Sequence, residues 1–399
     1  MTVFCSEQFV ELTVSSNETI TEKLYLLSLN LNLPVMMVAS GWLPTLEVLG
    51  SVAEAREWGR LYQGDNLAFR QGCSSPRSQG GAKFIQATSQ DNKSFVREFV
   101  IMGITNDPNL QHVLFILFLL IYLVSVIGNT GVMLTILIIN DLQSPMYYFL
   151  TNLSFSDLCY STVVSPKMLH DFFLERKLIS FIGCVLQLYF FAVFATTEGY
   201  ILSAMAYDRY VAICHPLLYV LIMNRSKCVI LTLIVYIGGF CTAGIHTSCT
   251  FILPFCGPNI INHFYCDIPP LMALSCGDTY MSKMIIFGVV FFLGLFSAIV
   301  ILASYLYIFF TILRIHSSEG RHKAFSTCSS HLLCVALFYG TVFFMYLRPA
   351  SNYSVTQDKI VSVFYTMIIP MMNPIIYCLR NTEVKEAVKC YIRRLLVDT

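Results

Sequence analysis

Charge is what this sequence has least of. Only 12% of its 399 residues are Asp, Glu, Lys or Arg, about half the share a soluble domain carries. A water-soluble fold of this length needs more charge than that to cover its surface, so the shortage argues against one. No sign dominates either. Lys and Arg number 25 against 24 Asp and Glu, a formal charge of +1, which leaves no electrostatic basis for gripping nucleic acid. No internal repeat of 20–50 residues is visible, which speaks against the inverted-repeat design of many transporters. In place of charge there are 56% hydrophobic and 14% aromatic residues, with a mean hydropathy of +0.66. Such a composition excludes disorder over most of the chain and points to hydrocarbon as the solvent. Fifteen cysteines are spread too thinly for a disulfide scaffold. Those inside apolar runs read as small hydrophobes, and only those in polar loops invite a bridge.

Crossing about 30 Å of hydrocarbon takes roughly 20 helical residues. Seven stretches qualify: 113–139, 146–169, 184–210, 228–250, 284–313, 324–347 and 360–379. The expected fold is therefore an all-α membrane protein, a seven-helix bundle. Its short loops set the orientation. Arg225, Lys227, Arg314, Arg321, Lys323, Arg380, Lys385, Lys389, Arg393 and Arg394 fall on one side, which the positive-inside rule places in the cytoplasm. Lys167, Arg176, Lys177, Lys283, Arg348 and Lys359, mixed with acids, fall outside. The chain ahead of the first span is then extracellular.

Four regions follow: an N-terminal extension at 1–90, an extracellular segment at 91–112, the bundle at 113–380, and a cytoplasmic helix and tail at 381–399. Residues 1–90 lack the basic lead and clean apolar core of a signal peptide. Residues 24–50 are apolar enough to keep an eighth span open, although Asn30, Asn32, Pro34 and Glu47 interrupt them, and 51–90 read as disordered. The stretch 382–396 alternates charge and apolar groups at helical spacing, as an amphipathic helix on the inner leaflet does.

Three sets of residues stand out within the spans. Cys184 and Arg209 are 25 residues apart, about 37 Å along a helix, so one is outside and the other inside. Asp208-Arg209-Tyr210 puts a self-neutralising pair at the inner edge, either a releasable switch or a plain interfacial anchor. Asp157 and Glu198 sit deep in the second and third spans with no Lys or Arg at matching depth. A cation sharing oxygens from Asn129 and Asn373 is one way to carry them, and protonation is the other. On the sixth span Tyr339, Val342, Phe343 and Tyr346 recur at i, i+3, i+4 and i+7, facing Phe191 and Ala195 of the third, either as a ligand cradle or as ordinary packing. Four outer cysteines, Cys184, Cys256, Cys266 and Cys276, allow three pairings. His263 and Asp267 flank Cys266, where a polar loop histidine is a better reading than a metal ligand. Asn92-Lys93-Ser94 is an outward glycosylation sequon. Asn17 and Asn352 also head sequons outside, and the one at Asn224 is cytoplasmic and silent.

These residues lie in runs that resemble the vertebrate olfactory receptors, within the rhodopsin-like G-protein-coupled receptors. The runs are 205–214 (MAYDRYVAIC), Gly128-Asn129, 145–150 (PMYYFL), 153–157 (LSFSD), 323–332 (KAFSTCSSHL) and 370–377 (PMMNPIIY). The second outer loop is similar to that of the tetrapod-type (class II) receptors. Tyr148 and Tyr265 stand where Phe is usual, and Gln143-Ser144 replaces His-Thr. Residues 1–90 match nothing in the family.

The resemblance implies much more than spacing does. It selects the bridges Cys184–Cys266 and Cys256–Cys276. It implies a sodium ion at Asn129, Asp157, Glu198 and Asn373 as an allosteric modulator, with no other cofactor or metal. It places an odorant among Phe191, Ala195, Tyr339, Val342, Phe343, Tyr346 and Thr366, with Tyr339 as toggle. It gives Asp208, Arg209, Tyr210, Asn373, Pro374 and Tyr377 the task of coupling to a heterotrimeric stimulatory G protein, which raises cyclic AMP. It implies a plasma-membrane location in the cilia of olfactory sensory neurons, with lipid as solvent, no nucleic acid and no catalysis. The absence of an embedded acid near the outer end of the third span favours a small, volatile, largely uncharged ligand. A rhodopsin-like receptor for a non-odorant ligand in other tissues is the rival, with a transporter or an intramembrane enzyme behind it.

Overall fold

The computed structural model describes residues 96–105, 107–256, 258–314, 317–346 and 355–380, with short pieces at 384–386, 389 and 393. The extension 1–90, the sequons at Asn17, Asn92 and Asn352, the side chain of Tyr346 and most of 381–399 lie outside the described residues.

Seven long helices form the bundle: α1 (Pro108–Ile138), α2 (Pro145–Asp171), α3 (Phe181–Cys214), α4 (Arg225–Phe251), α5 (Tyr280–Arg314), α6 (Ser318–Tyr346) and α7. The last is composite: Val355–Val363, a π-helical turn at Phe364–Ile368, then Ile369–Arg380. The chain is thus a multi-pass membrane protein with a seven-helix fold.

Local chemistry sets the helix starts. Asp107 accepts from the Asn109 N–H at 3.0 Å and Pro108 fills the first position, so α1 begins five residues before the apolar run expected at 113. Ser180 caps α3 through the Gly183 N–H, and Asn224 caps α4 through the Lys227 N–H. Six of the helices are long and apolar enough to span a membrane by composition. The other, α2, is more polar because it is buried on several sides. Ser154, Ser156, Asp157, Ser161 and Ser165 all turn inward, and Ser161 returns its hydroxyl to the Asp157 carbonyl at 2.9 Å. Helices α4 and α5 instead show Ile234, Ile237, Phe292 and Phe296 outward, which suits lipid and would be costly in water.

Helix α3 is the central pillar, packed against α2, α4, α5 and α6. At Gly199 α6 comes close. A Cβ there would lie 2.9 Å from the Phe338 ring, so the absent side chain is what allows the approach.

The outer ends carry a small sheet that the sequence did not announce. Strand β1 (Glu98–Ile101) runs between β2 (Leu178–Ser180), antiparallel, and β3 (Ile260–Ile261), parallel. Phe99 and Ile101 point down from it into an outer apolar cluster with Leu188, Ile268 and Leu271. Cys184 is joined to Cys266, tying the second outer loop to α3, and Cys256 to Cys276 within that loop. A larger cluster fills the bundle from its inner end up to Tyr339.

Candidate functional site

Three polar stations lie along the bundle, each anchored on α3. At the inner end Asp208 is fully buried and both of its oxygens are engaged. One pairs with the Arg209 guanidinium at 3.2 Å, and the other accepts from the Tyr219 hydroxyl at 2.9 Å. Tyr219 belongs to a short helix, Tyr219–Ile222, in the second inner loop, and sequence reasoning missed it. Its burial and the neighbouring Asp208 push the phenol well above its ordinary range. Tyr210, next to Arg209, shares its hydroxyl with His215 at 3.1 Å. Above them His331 of α6 reaches the Leu202 carbonyl at 3.1 Å and the Tyr305 hydroxyl of α5 at 2.7 Å. Tyr377 is buried in the adjoining inner cluster.

The middle station joins residues that are far apart in sequence. The Asn373 amide donates to both Asp157 and Glu198, each at 3.0 Å. One nitrogen touching both makes the two carboxyl groups near neighbours, and unbalanced negative charge there is unfavourable in a dry interior. Among the described residues no amide or hydroxyl donates to Asp157 Oδ1, Glu198 Oε2, Asn129 Oδ1 or Asn373 Oδ1. These four oxygens, two of them from acids, are of the kind a hard cation takes, so the residue types fit the ion that the resemblance implies.

Asn129 has another task. Pro374 lacks an N–H, so the carbonyl four residues back, at Pro370, has no helical partner. The Asn129 amide donates to that carbonyl at 2.9 Å. The helix therefore continues through Pro374 instead of breaking there. Its irregular stretch is the π-helical turn at Phe364–Ile368, ahead of both prolines.

Toward the outer side the Tyr339 hydroxyl donates to the Gly199 carbonyl at 3.1 Å and meets the Ser297 hydroxyl of α5. Ser297 in turn meets Ser203 of α3. A single phenol thus ties α6 to α3 and α5. Neither serine was a sequence candidate, since isolated serines in apolar runs give no signal. Val342 is half-buried against the cluster that includes Tyr339, and the Phe343 ring centroid lies 5.8 Å from that of Tyr339 while the residue is 40% exposed.

Phe191 is buried higher up. It stacks on Tyr160 with centroids 4.9 Å apart and meets Tyr265 at 5.0 Å and Tyr365 at 5.9 Å. Ala195, one turn below, is half-buried. Thr366 is buried, with its hydroxyl returned to the Ser362 carbonyl at 2.7 Å.

Above this cluster lies a network that the sequence did not reveal. Asp267 of the second outer loop is buried and accepts from the Tyr265 hydroxyl at 2.9 Å, the Tyr365 hydroxyl at 3.2 Å and the Ile268 N–H at 2.8 Å. Burial pushes its carboxyl above the usual range, and these three donors draw it part of the way back. Tyr365 sits in the π-helical turn, so the loop that Cys266 ties to α3 is also bonded to α7. His263 is buried beside it with Nδ1 unpaired. Burial, with Lys359 second, pushes its imidazole down to about 3, so it is neutral at ordinary pH. His246 of α4 is a further buried imidazole, its Nε2 without a partner.

Comparison with known proteins agrees with this geometry. A family model described as olfactory receptor matches residues 118–396. Olfactory receptor 5AR1 of Mus musculus is 55% identical over 300 residues, 75% of this chain and 97% of that protein. Its Homo sapiens namesake is 52% identical over the same length and shares. Among solved structures, squid rhodopsin aligns with a TM-score of 0.56 at 18% identity, over 73% of this chain and 87% of its own. The last likeness concerns the fold alone, a rhodopsin-like bundle. The sequence matches go further: this chain belongs to the olfactory receptor family, and it is a receptor rather than an enzyme.

Proposed function

We propose that this odorant receptor binds small, volatile, largely uncharged molecules in the outer half of its bundle. Binding activates a heterotrimeric stimulatory G protein of the olfactory type and raises cyclic AMP. The observation that carries the reading is the occupancy of α3: Phe191 lies under the outer loop, Glu198 in the middle and the Asp208–Arg209 pair at the inner edge. A rod that touches all three stations transmits a change at one to the others. From Phe181 to Thr197 α3 carries no charged residue, which favours a neutral ligand over a cationic amine.

Phe191, Ala195, Tyr339, Val342, Phe343, Tyr346 and Thr366 would line the ligand's cup. An odorant shifts the equilibrium only by its difference in affinity for the two packings. In the active packing Asp208 lets go of Arg209, Tyr210 and Tyr377 rearrange about Asn373 and Pro374, and the inner ends of α5 and α6 move apart for the G protein. Asn129, Asp157, Glu198 and Asn373 would hold sodium, whose charge offsets the two acids in the resting packing. Cys184–Cys266 and Cys256–Cys276 are the bridges of an oxidising outer compartment. Asn92 carries a glycan on the extracellular segment 91–112, which follows the N-terminal extension 1–90 and precedes the 113–380 bundle and the cytoplasmic 381–399 tail. The receptor resides in the plasma membrane of sensory cilia with its N-terminus outside, in contact with lipid and not nucleic acid.

A cyclic AMP readout against an odorant panel, with the full chain and a form starting at Asp91, tests the reading. At least one odorant should raise cyclic AMP in both forms. Silence of both at normal surface density would reject it.

A further inference from the structure

The segment just ahead of α1 crosses the outer mouth of the bundle and grips three separate parts of it. On the first outer loop, the Phe181 N–H donates to the Arg97 carbonyl at 2.9 Å and the Ile101 N–H to the Lys177 carbonyl at 2.7 Å. On the second, the N–H groups of Val100, Met102 and Gly103 donate to the carbonyls of Asn259, Ile261 and His263 at 2.8, 3.0 and 3.0 Å. At the third, the Lys359 ammonium of α7 donates to the Gly103 carbonyl at 2.7 Å.

Gly103 is suited to that last contact. Its φ of +79° is left-handed, which side chains resist, and a Cβ there would lie 2.9 Å from Lys177 Nζ. The glycine lets the chain turn so that its carbonyl faces Lys359. Lys177 Nζ itself stands 3.5 Å from the Met102 carbonyl, so two ammonium groups hold adjacent carbonyls.

The grips differ in kind. The second outer loop is bonded covalently to α3. Residues 97–103 are held by backbone hydrogen bonds between strands of two to four residues, by two buried side chains, Phe99 and Ile101, and by the ammonium groups of Lys177 and Lys359. Short, water-facing strand pairs open at far lower free energy than helix cores. The cavity under the segment, between Ile101, Met168, Asp171 and Phe264, is about 10 Å³, room for one water.

We propose that residues 97–103 form a releasable strap over the mouth of the ligand cup, with the Lys359–Gly103 contact as its catch. Release of Gly103 from Lys359 lets β1 lift from β3, while the disulfide keeps the second outer loop on α3. The strap is the movable part of the lid and the loop is the fixed part. The inference relies on the receptor reading only in supposing that a ligand enters from the aqueous side.

Hydrogen exchange by mass spectrometry on the full chain in lipid nanodiscs, without odorant or G protein, tests it. In the unaltered protein, amides of 98–103 should exchange at least about tenfold faster than those of residues 188–202 in α3. Lys359→Met, which removes the ammonium but keeps the stem, should speed strap exchange about tenfold more and leave α3 unchanged. Strap amides as slow as α3, or a rate that Lys359→Met does not change, would overturn the strap. If Lys359→Met does not fold, the comparison within the unaltered protein still decides. Because the readout needs no signalling, a receptor silent to every odorant would reject the functional reading and leave this result standing.

Discussion

The outer and inner ends of this bundle are closed by different chemistry. Outside, two disulfides, a three-stranded sheet and the aromatic group of Tyr160, Phe191, Tyr265 and Tyr365 hold the loops down. Inside, Asp208 is shared between one guanidinium and one phenol, and His331 joins α6 to α3 and α5. An end built to keep a ligand-shaped space benefits from covalent bonds and buried rings. An end built to let go benefits from a few charged hydrogen bonds, each strong alone and easily exchanged for a partner's.

The hardest test of that contrast is Arg209→Ala, which removes the charged partner of Asp208. Odorant-evoked cyclic AMP should fall to about a hundredth of normal or less, with surface density retained. Normal signalling would mean that the inner station is no switch. Cys184→Ser attacks the other end. It opens a bridge between residues 82 apart in sequence, which in the chain-entropy account costs about 4–5 kcal/mol. Surface receptor should drop severely in flow cytometry, whereas Arg209→Ala leaves it near normal, and equal loss in both would erase the distinction.

Tyr219→Phe sharpens it, because one of Asp208's two donors goes while Arg209 stays. Odorant-free cyclic AMP should rise about tenfold, the worth of one hydrogen bond to a charged group. An unchanged baseline would make Tyr219 a bystander. Glu198→Gln probes the middle. Replacing sodium with a large organic cation in the medium should change basal activity about fivefold in the unaltered receptor and hardly at all in the variant. Equal responses would remove sodium from the account.

The smallest effect concerns acid. His263 has a folded pKa near 3, below the ordinary value of about 6.5. The native lid excludes a proton that the opened lid accepts, so stability is full above about pH 6.5 and is lost as pH falls toward 3. Asp267, whose pKa is raised by burial, runs the other way and adds stability only on the acid side. Lid opening followed by hydrogen exchange, corrected for intrinsic rates, should quicken about threefold at pH 6 relative to pH 7. His263→Phe should flatten the profile, and a profile that survives the substitution would assign the effect elsewhere.

The bundle itself was legible because burial in hydrocarbon writes long apolar runs that nothing else needs. Helix ends shifted by several residues where capping by Asp107 and Pro108 outweighed hydropathy. The pairing of Asp157 with Glu198 could be suspected from depth alone, but not the one amide of Asn373 that touches both, since contacts over 175 and 216 residues leave no trace in local pattern. The outer sheet was hidden for another reason. Strands of two to four residues are too short to show alternation. Tyr219, Ser203, Ser297 and Tyr365 were missed because a hydroxyl becomes informative only when its partner is known. The π-helical turn has no compositional mark except the proline that follows it.

The hydrogen bond from Asn129 to the Pro370 carbonyl makes two distant positions depend on each other. While a cyclic residue stands at 374, the amide on α1 repairs the missing main-chain link, and its loss alone would strand a carbonyl in hydrocarbon. With an ordinary residue at 374, the ladder would mend itself and the amide would keep its bonds to the Ser125 carbonyl and hydroxyl. The residue at 374 therefore sets how costly a change at 129 is.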